Sequence, residues 1–394
     1  MTAWRLVRMN MVIKSANVLI AALVFSACSA TPMLTISDAR AAYARGNYSA
    51  AQKALREASA LSPDNVEIML LNAHVSLAQG AGDIALAAIE SAARLGVSSA
   101  QLAPLRAEAL ALHGKSDAAL AVPLKKRDAA IFHYVRGLAF LKADNVIEAR
   151  TELTQAQTLA PRNPRVAISL ARLLYRLSLF DEAMAMAKHA ISLAPQNIVP
   201  HLLVADIERW RARTPSALAA YSRVIALEPQ NIEALMGQAE SYYLLGRYKN
   251  ATETLDRIAE QSPSNTEMFK IRAKVAVRLG QSDKALDALA SVGGAFADDA
   301  ETQSIAGDIA LSRDVAWTAV THYEKAVQLR PDLPKYRANL INALIKTGQA
   351  GAADGAIASI PPQFANDPQL SAMIRKAQAG QPKQVNPPSQ FSQK

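Results

Sequence analysis

Six histidines and one cysteine are the side chains here best suited to metal or nucleophilic chemistry, and their spacing assembles neither. His74, His113, His133, His189, His201 and His322 are widely scattered; none stands in an HExxH pair or beside carboxylates at ligand spacing. Each reads as structural. There is no GxSxG elbow, no glycine-rich phosphate loop and no GxGxxG. Carboxylates beside lysine or arginine abound, but on helix surfaces such pairs are mostly solvated and carry little energy. The expectation is a chain that is not an enzyme and uses no metal or cofactor. What remains is arginine with aromatic neighbours, as in Arg172, Tyr175 and Arg176 or in Arg209 and Trp210, the composition of interaction surfaces.

The elements that position these residues are set by an alanine that returns every 34 residues: Ala51 and Ala85, then Ala149, Ala183, Ala217, Ala251, Ala285, Ala319 and Ala353, with Ala119 joining if one unit is short. A second small residue precedes it in each unit, as in Ala39, Ala73, Ala107, Gly137, Ala171, Ala205, Ala239, Ala273 and Gly307, and only Ile341 breaks the series. Small side chains belong where two helices cross closely. Four residues after the first alanine comes a larger apolar group such as Leu55, Ile89, Leu153, Tyr221, Leu255 or Tyr323, one turn on and on the same helix face. Units close on Pro63, Pro161, Pro195, Pro229, Pro263 or Pro331, which end one helix, usually with Asn two residues later. A period of this length predicts helix–turn–helix units in a solenoid, which grows by neighbour contacts rather than around one core.

The pattern of small residue, apolar residue, alanine, apolar residue, alanine and proline resembles the tetratricopeptide repeat. The resemblance implies an all-α, right-handed superhelix of about ten repeats over residues 32–367: 32–65, 66–99, a short 100–129, then 130–163, 164–197, 198–231, 232–265, 266–299, 300–333 and 334–367. Pro123, where a helix interior is due, and Lys125, Lys126 and Arg127 after it predict a kink or slippage in the third unit. A capping helix is expected over 368–379, and the Pro-, Gln- and Ser-rich segment 380–394 is expected to be disordered.

In that family the first helix of each unit lines a concave groove with its second, fifth, ninth, twelfth and thirteenth positions. Here those positions hold Tyr134, Arg165, Arg172, Tyr175, Arg176, Arg209, Trp210 and Tyr243, followed by Lys270, Lys274 and Arg278, with Asp206, Glu233 and Glu240 between the basic groups. The implied partner is a protein or peptide. Tyr175 and Tyr243 read equally well as packing between adjacent first helices, with the arginines lying over them. The family's clamp for a chaperone's terminal carboxylate is not matched, because Ile305 stands where an asparagine belongs.

The amino terminus reads as a signal peptide, residues 1–27. Arg5, Arg8 and Lys14 precede an apolar stretch from Ala16 to Ala27 that is too short to span a bilayer; Met1, Met9 and Met11 are all candidate starts. Cys28, in Val24-Phe25-Ser26-Ala27-Cys28-Ser29, resembles the lipidated cysteine of a bacterial lipobox, with 28–31 as the linker to the solenoid. Two or three acyl chains anchor stably, and the expectation is an outer-membrane lipoprotein facing the periplasm. Ordinary cleavage after Ala30 would instead leave a soluble periplasmic protein.

The formal charge is +9, of which Arg5, Arg8 and Lys14 would leave with the signal. The balance favours acidic protein segments, with an anionic polysaccharide as the alternative, over nucleic acid, which an exported protein seldom meets. Gly46-Asn47-Tyr48-Ser49-Ala50-Ala51 and Ala93-Arg94-Leu95-Gly96-Val97, leading into the short unit, resemble the opening of the tetratricopeptide lipoproteins of exosortase/PEP-CTERM exopolysaccharide systems. That implies a scaffold for polysaccharide or surface-protein export. Pilus or secretion-system assembly and polysaccharide binding are the alternatives.

Overall fold

Each repeat turns on one residue with left-handed backbone, and these residues count out the register. They are Gly46, Gly80 and Gly114, then Asp144, Ser178, Ala212, Gly246, Gly280, Asp314 and Gly348. Every step is 34 residues except the one from Gly114 to Asp144, which is 30. The computed structural model describes residues 35–293, 298–364, 370–372 and 374–375. Among these residues it is all-α, without strands. The signal peptide, Cys28 and the segment 380–394 lie outside the described residues.

Helix starts follow from the residues that announced them. After the turn prolines, Asn65 accepts from the amides of Glu67 and Ile68, Asn163 from Arg165, Asn197 from Val199, Asn231 from Ala234 and Asn265 from Met268. Each satisfies one or two orphan donors of the first helix of the next unit. The proline–asparagine signal is thus a stop and a start in one turn.

The chain divides into two compact units, Met1–Pro200 and His201–Lys394. In the first, helices pair as α1 (Ile36–Ala44) with α2 (Tyr48–Leu61), α3 (Val66–Ala78) with α4 (Gly82–Arg94), α5 (Ser99–Leu112) with α6 (Ser116–Leu120), α7 (Ala129–Lys142) with α8 (Val146–Leu159) and α9 (Pro164–Arg176) with α10 (Phe180–Leu193). In the second, which begins within α11 (Ile198–Trp210), α12 (Thr214–Leu227) precedes α13 (Ile232–Leu244), α14 (Tyr248–Gln261), α15 (Thr266–Arg278), α16 (Ser282–Ala290), α17 (Ala300–Ser312), α18 (Ala316–Leu329), α19 (Pro334–Lys346) and α20 (Ala350–Ala358). Successive helices in that series, from α12 to α20, pack on one another.

The periodic alanines are the core. All ten, from Ala51 to Ala353, are 1 % exposed or less. Ile341, the exception among the preceding small residues, is equally buried. Leu55, Ile89, Leu153, Leu255 and Tyr323 fill the space that the small residues leave. Where position eight is glycine, the filling residue lies directly on it: a Cβ added at Gly307 would stand 2.6 Å from the ring of Tyr323.

The first unit closes on itself. The amide of Gln196 donates to the carbonyl of Arg45 at 3.0 Å, across some 150 residues of sequence. At the same place a Cβ on Gly46 would lie 2.7 Å from that of Ala194. The turn between α1 and α2 therefore seats on the turn after α10, which places the inner sides of the first and fifth repeats against each other. Near the carboxyl end, the described residues 370–372 and 374–375 are helical and Leu370 is buried.

Candidate functional site

The inner face of the first unit is built around a buried ion pair. Glu108, on α5, and Arg165, in the first turn of α9, face each other with Nε 2.9 Å from Oε1, and Nη2 donates to Oε2 at 3.0 Å. Their side chains are 1 % and 13 % exposed. Burial pushes the Glu108 carboxyl up against the pull of Arg165. For Arg165, burial works downward but Glu108 and the phenols of Tyr43, Tyr134 and Tyr48 hold it above the ordinary range. Two charges taken out of water recover that cost only when paired this closely, so the pair ties the third repeat to the fifth.

Around it stand aromatic groups of the first and second repeats. Tyr43, Tyr48, His74 and Arg165, with the loop 160–164, line a cavity of about 530 Å³ at the closure. Burial raises the Tyr48 phenol to about 12. Burial, and then Arg165, lowers His74. Tyr134, with its hydroxyl 3.1 Å from Ser169 Oγ, is buried.

These positions correct the expectation for two residues. Register places Tyr134 and Arg165 in an open groove, but Tyr134 is buried, with its hydroxyl against Ser169 of the next first helix, and Arg165 is committed to Glu108. Arg172 remains exposed, and no described residue forms a salt bridge with it. Arg176 pairs with Asp144 of the preceding turn, and Tyr175 packs edge-on to Phe180 with centroids 5.8 Å apart.

In the second unit Lys270, Lys274 and Arg278 are spent on neighbouring repeats. Lys270 on α15 reaches both Glu267 and the capping residue Asp299, each at 2.8 Å. Lys274 pairs with Glu301 of α17. Burial would raise Asp299, but Lys270 and Thr302 bonds outweigh it and hold that carboxyl low. Arg278 Nε donates to Tyr243 Oη at 3.4 Å, linking α15 to α13. Arg209 stands 3.6 Å from Asp206, whose carboxylate also accepts from the Tyr221 hydroxyl at 3.0 Å.

Two neighbouring groups stay open to solvent at the end of α11: Arg209, 44 % exposed, and Trp210, 65 % exposed. An indole so exposed beside a guanidinium is a ready contact for a partner. Sequence reading missed Glu108, Asp299 and Asp308 as members of the inner faces. Glu108 and Asp308 occupy the ninth position of their units and were legible there once the register was trusted; Asp299 precedes its helix and carries no such signal. Among the described residues no group of three His, Cys, Asp or Glu could hold a metal ion, and no helix is long and apolar enough to cross a membrane.

Models described as tetratricopeptide repeat match residues 38–83 and 134–198 in one case and 318–377 in another. One described as anaphase-promoting complex, cyclosome, subunit 3 matches 210–292. No curated protein matches the chain. Among solved structures, a tetratricopeptide repeat protein from Parabacteroides merdae is 16 % identical with a TM-score of 0.57, over 64 % of this chain and 99 % of that one. PilF of Pseudomonas aeruginosa is 15 % identical with a TM-score of 0.45, over 54 % and 97 %. PilW, a type IV pilus biogenesis factor, is 18 % identical with a TM-score of 0.46, over 55 % and 98 %.

Proposed function

The chain is a tetratricopeptide repeat protein, and from that premise we propose that it is a non-enzymatic scaffold holding a protein or peptide partner against its first helices. The observation that carries this reading is Trp210, two-thirds exposed at the end of a first helix beside Arg209. Leaving so large an apolar side chain in water forfeits about 1.5–3 kcal/mol that burial would return. A partner that covers it recovers this. In the first unit, exposed Arg172 is the corresponding contact.

The finer reading rests on the amino-terminal motif and the opening repeats. The chain is exported, Cys28 carries the lipid anchor, and the scaffold faces the periplasm from the outer membrane, where it serves exopolysaccharide or surface-protein export. An affinity pull-down from crosslinked cells tests this, with the wild type beside the triple variant Arg172→Glu, Arg176→Glu, Trp210→Ala. Enrichment of polysaccharide-export components by wild type alone supports the reading. Enrichment of pilus components would redirect the pathway, and equal recovery by both would move the binding surface elsewhere.

A further inference from the structure

The third repeat lacks most of its second helix. α6 has five residues where α2, α8 and α10 have fourteen. Pro123 offers no amide hydrogen and its ring clashes with the preceding turn of a helix, so α6 stops at Leu120 and the chain runs on to a single 3-10 turn at Lys126–Asp128. The missing residues would occupy roughly 13 Å of helix at 1.5 Å per residue.

That space is a cleft. A cavity of about 920 Å³ lies between the end of α4, one side of α5 and residues 118–125. Its walls are apolar, made by Val97, Ala100, Ala103, Leu110, Val122 and Leu124. Its mouth is basic. Arg106 and Lys125 stand at the rim with Lys126 beside them, all exposed, and none forms a salt bridge with a described residue. Near Arg106 in sequence, Glu108 is committed to Arg165; near Lys125 and Lys126, Asp128 accepts from the Lys125 amide at 3.1 Å and lies 3.9 Å from Arg127.

We propose that this cleft receives a short amphipathic helix of another protein, with two or three apolar side chains on one face and carboxylates beside them. The gap stands where a second helix is cut short, and α4 and α5 wall two of its sides while residues 121–125 wall the third, so a helix is the shape that fills it. The apolar floor calls for an apolar stripe, and the cationic rim for acidic flanks. A second copy of this chain would bring a net positive charge to a positive rim. A membrane surface would not enter a walled cleft. The inserted helix completes the third repeat in place of the residues that Pro123 excludes. None of the first-helix residues of the proposed function lines this cleft, so the two readings stand or fall separately.

The test is a fluorescein-labelled peptide of about sixteen residues, with leucine at i, i+3, i+4 and i+7 and glutamate on either side, titrated into the full chain by anisotropy. A scrambled peptide and one with lysine in place of glutamate serve as controls. Saturable one-to-one binding is expected for the glutamate peptide, at least tenfold tighter than for either control. Arg106→Glu with Lys125→Glu should weaken it at least tenfold, and Ala100→Trp, which fills the cleft from an exposed position, should abolish it while the circular dichroism spectrum and Tm stay unchanged. Trp210→Ala should bind the peptide as wild type does. Equal binding by Ala100→Trp and wild type, or no binding by wild type, overturns the proposal. So does light scattering in which Ala100→Trp abolishes a dimer, since the occupant would then be a second copy.

Discussion

The hydroxyl of Tyr323 donates to Asp308 Oδ1 at 2.6 Å, joining the two helices of one repeat across the position where Gly307 leaves no side chain. The same bond links Tyr221 to Asp206 at 3.0 Å. Burial raises the Asp308 carboxyl, against the pull of the Tyr323 bond. The large aromatic, the glycine and the acid therefore form one packing unit. Gly307→Ala should cost about 1–3 kcal/mol by overpacking, read as a lower urea midpoint. Adding Tyr323→Leu, which recreates the alanine–leucine pairing of Ala39 and Leu55, should recover part of that loss.

Ala212 holds a left-handed backbone, φ 55°, at the turn where Gly80, Gly246 and Gly280 stand in their repeats. A non-glycine residue there carries strain of about 1 kcal/mol or more. Ala212→Gly is therefore expected to raise Tm, although most glycine substitutions lower it. A fall in Tm would mean that the Cβ makes contacts worth more than the strain.

The Glu108–Arg165 pair ties the third repeat to the fifth. Removing one partner leaves the other buried without its counter-charge, at about 3–5 kcal/mol. Arg165→Met alone should lower the denaturant midpoint sharply, whereas Arg165→Met with Glu108→Leu should return most of the stability. An equal loss in both variants would show that the packing of the arginine stem, not the charge, does the holding.

His74 gives the first unit a pH dependence. Its imidazole is held below the ordinary value of about 6.5 by burial and then by Arg165. The unfolded chain therefore binds the proton first, and stability falls as pH drops through that ordinary value and below it. Urea midpoints at pH 7.5 and 5.5 should differ more for wild type than for His74→Gln. An identical difference in both would assign the acid sensitivity to other groups.

Much of the fold was legible because a solenoid's contacts are local. The alanine period marked the core of every repeat, and proline followed by asparagine marked turns and caps, since each of these acts within one unit or the next. The inner face was less legible. Register places Arg165 on a first helix, but its partner Glu108 lies 57 residues back in the irregular unit. Nothing local announces the seating of Gly46 on Ala194 either, because it arises from the accumulated curvature of five repeats. Tyr221 gives a smaller instance. The residue that yields to its ring is Gly237 of the following repeat, whereas Tyr323 uses the glycine of its own.

The most direct test places a photo-crosslinking amino acid at position 210 in living cells and, as a control, at position 147, where Ile147 is 76 % exposed on a second helix. Discrete protein adducts from position 210, absent from position 147, are the predicted result. Adducts from both positions alike, or from 147 alone, would contradict a scaffold that holds its partner against its first helices.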